Sequence, residues 1–135
     1  MRSRPLHVFL AHARDDEKFI LHLYRRLTRD GMDPWLDQEN LQPGQDWDRE
    51  IRKAIHYSDL VIVCLSKKYI NKRGYRQKEL RIVLEEANLI PEREVFIIPA
   101  RLEKCEMPEG LRRWQRVDLF EPDGYKKLVK ALRSH

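Results

Sequence analysis

Leu60-Val-Ile-Val-Cys-Leu65 is apolar from end to end, and no other six residues restrict the fold as much. A strand with one wet face alternates polar and apolar side chains. An unbroken run has to be covered on both faces, as in a central strand of a parallel sheet lined with helices. The rest of the chain supplies the alternation such a sheet needs. Leu6 to Ala11 reads as the first strand. Asp15 then stands as a helix N-cap, with Asp16 and Glu17 where the positive end of the helix dipole favours carboxylates. Phe19, Ile20, Leu23 and Leu27 recur at helical spacing, and Gly31 stops the helix.

Pro34 to Asp37 reads as a second strand, and Trp47, Ile51, Ala54 and Ile55 stripe the helix after a Pro43-Gly44 turn. A third helix is expected from about Arg76 to Ile90, with Leu80, Val83, Leu84 and Ala87 buried and Tyr75, Glu79, Ile82 and Glu86 along its flank. Val95 to Ile98 and Val117 to Phe120 read as strands four and five. Tyr125, Leu128, Val129 and Leu132 mark a last helix. Arg101 to Arg116 is expected to be irregular, with one short helical turn. The fold class is therefore α/β, a flavodoxin-like five-stranded parallel sheet with helices on both faces, its order 2-1-3-4-5 set by analogy.

At 135 residues, 41% hydrophobic and 36% charged, the chain reads as a single soluble domain with an ample core. No run approaches the roughly 18 apolar residues of a membrane span. The N-terminus enters a strand directly, so no export signal is expected. Cys64 and Cys105 form no pairing motif and read as thiols in a reducing cytoplasm. The net charge of +5 favours anionic ligands without pointing to specific nucleic-acid binding. The basic residues of the last helix, Lys126, Lys127, Lys130 and Arg133, read as a solvated face.

In this architecture ligands bind beyond the carboxyl ends of the strands, where strands one and three diverge. The loops there are Ala11 to Asp15, Asp37 to Asp46 and Ser66 to Tyr75. A phosphoacceptor domain needs an Asp at the end of strand three, where this chain has Leu65-Ser66. No Gly-x-Gly-x-x-Gly and no Walker loop occurs, and the five histidines lack metal-ligand spacing. The ten-residue Asp37–Asp46 loop exceeds what a plain connection requires, and its one apolar residue, Leu41, needs a partner in this domain or in a neighbour. Between Lys67 and Arg81, Glu79 is the only acid among seven basic residues. Spacing alone is also satisfied by a surface Glu79 paired with Arg76 or Lys78.

These residues resemble the Toll/interleukin-1 receptor (TIR) domain family, most closely its bacterial members. His7-Val-Phe-Leu-Ala-His-Ala13 is similar to the family's first box. Gly31 through Trp35-Leu-Asp37 to Leu41-Gln-Pro-Gly44 is similar to the second. Ala54-Ile-x-x-Ser58 with Val61-Ile-Val-x-Leu-Ser66 resembles the third strand and its approach, and Gly74-Tyr-x-x-x-Glu79-Leu80 the aromatic-x-x-x-Glu-Leu signature. The sequence departs from the family in carrying Tyr75 where Trp is usual, Ala-His-Ala where many members have Ser-Tyr, and no clear Phe-Trp box near the C-terminus.

The resemblance implies cleavage of NAD+ as substrate, without a further cofactor or metal, at the nicotinamide–ribose bond. Glu79 is the implied catalytic carboxylate, Tyr75 a packing surface for nicotinamide or ribose, and Ala13, Arg14 and Gln42 further substrate contacts. It also implies self-association with other TIR domains through Leu41, Pro43 and Gly44, action as one module of a longer protein, and a role in immune or defence signalling. Trp47 reads as core. The alternative is a docking adaptor without catalysis, since signalling members of the family share the fold.

Overall fold

The computed structural model describes residues 4–36, 40–71, 80–86 and 96–134. Five strands, β1 (His7–Ala11), β2 (Asp33–Trp35), β3 (Leu60–Leu65), β4 (Phe96–Arg101) and β5 (Val117–Asp118), form one sheet in the order β2-β1-β3-β4-β5. Every pairing is parallel. The helices are α1 (Glu17–Arg29), α2 (Trp47–Tyr57), α3 (Lys67–Asn71) and α4 (Gly124–Arg133), with residues 80–86 also helical.

The period of two along β3 divides the core. Leu60, Ile62 and Cys64 pack with Ile20, Leu23 and Leu27 of α1 and Leu128, Val129 and Leu132 of α4. Val61, Val63 and Leu65 pack with Ile51, Ala54 and Ile55 of α2, Tyr69 of α3, and Leu80, Ile82 and Val83. All six β3 side chains are buried. That is why the run contains no polar residue.

Helix α1 ends in a Schellman cap: Met32 N–H donates to the Leu27 carbonyl and Gly31 N–H to that of Thr28, with Gly31 at φ +93°. Asp15 is not the N-cap. A 3-10 turn, Arg14–Asp16, precedes the helix, and Asp16 caps it without a side-chain bond because its carboxylate is engaged elsewhere. The second strand, Asp33–Trp35, starts one residue before the expected Pro34 and stops at Trp35, inside the expected range. Trp35 stacks on Phe9 at 5.1 Å, and Trp47 packs against the second core as expected. The fourth strand runs past Ile98 to Arg101, with Pro99 opposite Val63. Pro99 has no N–H to give, and the ladder to β5 begins only at Ala100. The fifth strand is two residues long rather than four, and the region before it holds one short helical turn, Glu109–Leu111.

Arg101 fastens β4 to β5. Its Nε and Nη2 donate to the two carboxylate oxygens of Asp118 at 2.7 and 2.9 Å, and Nη1 donates to the Cys105 carbonyl at 2.8 Å. Those bonds hold the Asp118 carboxyl below the usual carboxylate range, chiefly through Arg101. A group lowered in the folded state contributes stability above its unfolded pKa, about 3.9, and loses it as pH falls through the folded value. Asp118→Asn is therefore expected to cost about 2 kcal/mol at pH 7. In urea unfolding the gap to wild type should close at pH values below the Asp118 pKa. An equally wide gap there would contradict the assignment.

Candidate functional site

Because the strands are parallel, the segments leaving β1, β2 and β3 emerge at one edge of the sheet. The chain reverses its direction of winding between β1 and β3, which opens the crevice at that edge. After β1, His12 and Ala13 are fully buried and Arg14 is exposed. The Ala13 carbonyl accepts the Asp16 N–H at 3.0 Å, closing the 3-10 turn that leads into α1.

A polar network that sequence reasoning did not assign fixes this edge. Ser66 Oγ donates to Asp16 Oδ2 at 2.6 Å and accepts the Tyr69 N–H at 3.1 Å. The Ser66 carbonyl accepts the Ile70 N–H, and the Lys67 N–H donates to Glu103 Oε2 at 2.9 Å. The segments following β1, β3 and β4 are thereby tied together. Partial burial pushes the Asp16 carboxyl up, against the opposing Ser66 bond. The stretch Ser66 to Tyr75, read as a loop, begins instead with α3, whose Tyr69 is fully buried. The only sequence signal for this network was Ser66 itself, a polar residue ending an apolar strand.

The loop after β2 is ordered by its own polar groups. Leu36 N–H donates to Asn40 Oδ1 at 3.0 Å and Asn40 N–H returns to the Leu36 carbonyl. Gln42 N–H donates to Gln45 Oε1 at 2.7 Å, Gly44 adopts φ +88°, and Asp46 caps α2 through the Arg49 N–H. Leu41 is half-buried, whereas Gln42, Pro43 and Gly44 are exposed. Ala13, Arg14, Gln42 and Leu41 thus stand on adjacent segments of one sheet edge. Tyr75 and Glu79 lie outside the described residues, as do Asp37 and Ala87.

Ile82 and Glu86, expected along the flank of the third helix, are buried at 1% and 3% exposure, and Leu84 is only half-buried. The helix has neighbours on two sides, the sheet and α2, so more of its circumference is covered. Among the described residues, no cluster of three His, Cys, Asp or Glu could hold a metal ion, and no helix is long and apolar enough to cross a membrane.

On the β5 side of the sheet, the two-residue β5 leaves the first part of β4 paired with β3 alone. Ile97, Ile98, Trp114, Val117, Leu128 and Ala131 line a groove of about 660 Å³ there, with Arg116, Glu121 and Lys127 at its border.

The TIR domain of the Toll-related receptor TRR-2 from Hydra magnipapillata superposes with a TM-score of 0.77 at 24% identity, covering 93% of this chain and 97% of that one. In sequence, the chain is 35% identical over 82 residues to NAD(+) hydrolase PdTIR of Paracoccus denitrificans, covering 59% of this chain and 27% of that protein. It is also 35% identical over 74 residues to NAD(+) hydrolase TcpA of a Theionarchaea archaeon, covering 54% and 22% respectively. The chain thus spans about a quarter of the length of these relatives. A family model described as TIR domain matches residues 8–132, and with the parallel five-stranded sheet and its crevice in place, the chain belongs to the TIR-domain family.

Proposed function

We propose that this domain cleaves NAD+ at the nicotinamide–ribose bond, releasing nicotinamide and ADP-ribose or its cyclic form, and that self-association activates it. The observation that carries the reading is the Tyr75-x-x-x-Glu79-Leu80 signature, standing directly ahead of helical residues that Leu80, Ile82 and Val83 bury against the sheet. Two relatives bearing the name NAD(+) hydrolase support it. Nicotinamide is a cationic group that departs neutral, so no general acid is required, unlike ordinary glycoside hydrolysis. The demand is for negative charge near the ribose, and Glu79 is the proposed source. Arg14, exposed at the crevice beside a 3-10 turn leading into α1, is suited to the diphosphate. Tyr75 would cover the nicotinamide or ribose, with Ala13 and Gln42 completing the contacts.

Assembly is proposed to run through the loop that carries Leu41, Pro43 and Gly44. The loop follows one edge strand of the sheet and the apolar groove lies beside the other. Contact between such unlike surfaces is heterologous, and it builds a ring or an open array, not a two-fold dimer. A rival reading, docking without catalysis, is favoured by the same exposed Gln42, Pro43 and Gly44 and by the groove, neither of which needs chemistry.

One titration separates the two. Nicotinamide release is followed while domain concentration rises under crowding or on a tethering surface. Rate per molecule is expected to climb with concentration, and Leu41→Glu to flatten the climb. Assembly without nicotinamide release would leave only the docking role, and a rate strictly proportional to concentration would remove activation by self-association.

A further inference from the structure

Glu86 is the only buried acid among the described residues. Its Oε1 accepts Arg52 Nη1 at 3.0 Å and its Oε2 lies 2.6 Å from His56 Nε2. Arg52 in turn donates from Nε to Asp48 Oδ1 at 2.7 Å and from Nη2 to Glu85 Oε2 at 3.3 Å. One guanidinium therefore engages three carboxylates. Asp48, Arg52 and His56 all belong to α2; Glu85 and Glu86 belong to helical residues 80–86.

Adhesion alone does not call for this arrangement. Ile51, Ala54 and Ile55 already share a core cluster with Leu80, Ile82 and Val83, and replacing both members of a buried ion pair by apolar residues is commonly neutral for stability. Apolar contacts, however, are non-directional and permit sliding. Fixed donors on a planar guanidinium define one register. Helix α2 is fed by the loop ending at its cap, Asp46, while the described residues of the opposing helix start at Leu80, next in sequence to Glu79.

We infer that the Asp48–Arg52–Glu86–His56 cluster is a positioning device, locking the register between α2 with its loop and helical residues 80–86, which follow Glu79 in sequence. The inference rests on the NAD+-cleaving reading for its catalytic consequence; the locking of the two helices does not depend on it. Arg52 and Glu86 act through the helix and are not expected to touch substrate.

The test uses an Arg52→Met, Glu86→Leu double variant, which fills the space with apolar groups while removing the directed bonds. Its melting temperature is expected to stay near that of wild type. Under assembling conditions kcat should fall by ~10-fold or more, since small misplacements of reacting groups carry costs of that order, while KM stays within about twofold. Independently of activity, methyl NMR should show the Ile82 resonance displaced and that of Ile20, on the far face of the sheet, unmoved. If the double variant unfolds, Arg52→Lys carries the same measurements, because it keeps a charge beside Glu86 but loses the planar guanidinium whose separate donors reach Asp48, Glu85 and Glu86. Wild-type kcat in a folded variant, or an unmoved Ile82 methyl, overturns the inference. A wild-type domain that releases no nicotinamide under any assembling condition overturns the enzymatic reading instead, and the Ile82 displacement still decides whether the cluster locks the helices.

Discussion

Glu79→Gln is expected to lower nicotinamide release by at least ~100-fold, the scale of losing one preorganised electrostatic contact, in a protein that still folds and associates. The positive charge in this reaction is not created in the transition state. It starts on the pyridinium ring of NAD+ and migrates to the ribose as the glycosidic bond lengthens. A carboxylate near the sugar therefore gains interaction energy along the reaction coordinate, and only such a gain raises kcat. Glutamine keeps the size and can still hydrogen-bond a ribose hydroxyl, but it offers the growing cation a dipole in place of a charge. The loss should fall mainly on kcat, with KM little changed. Circular dichroism and light scattering on the variant confirm fold and assembly; activity within tenfold of wild type would remove Glu79 from the catalytic role and leave the docking reading in place.

The architecture was open to sequence reasoning wherever burial is uniform over many residues. Leu60–Leu65 matched its strand without error, because only a site covered on both faces tolerates six apolar side chains in succession. Helices α1, α2 and α4 announce themselves through stripes of three or four buried residues. Helix α3 does not. Five residues are too few for a period to emerge, and its placement comes from Ser66 and the buried ring of Tyr69. Pro99 made strand four look shorter than it is, since the absence of a ladder partner at that position is a property of the neighbouring strand, not of the local sequence.

Charged residues misled in a consistent direction. Asp15 reads as the cap in sequence, whereas Asp16 stands at that position with its carboxylate drawn to Ser66 by a long-range bond. Glu86, expected on the flank of its helix, is buried because Arg52, 34 positions earlier in the chain, meets it. The candidate site was legible in a different way: Glu79 and Tyr75 were found through a four-part resemblance, not through any periodicity, and spacing alone fits a surface ion pair equally well. Of the polar network joining Asp16, Ser66 and Glu103, only Ser66 left a trace in the sequence, because the members follow three separate strands.

Gly124→Ala is expected to be the most damaging glycine-to-alanine change among the described residues. A Cβ at Gly124 would fall 2.1 Å from the Asp118 carbonyl oxygen and 2.8 Å from the Leu119 Cα. Both obstacles are backbone, so no rotamer change relieves the clash. Either the first turn of α4 lifts away from β5, or β5 moves off β4 against the two Arg101–Asp118 bonds. The better helix propensity of alanine, about 1 kcal/mol, does not offset an overpacking cost of roughly 3 kcal/mol or more. A fall in melting temperature of about 10 °C is expected for a domain of this size. Gly110→Ala is the control: its Cβ would meet only the terminal Cδ1 of Leu84, at 3.3 Å, and a flexible methyl group can yield. Since β5 and α4 also form walls of the apolar groove, whatever Gly124→Ala protein remains folded at low temperature should assemble poorly even with its Leu41 loop intact. A variant that melts and assembles like wild type would show that α4 does not approach β5 as closely as this packing requires.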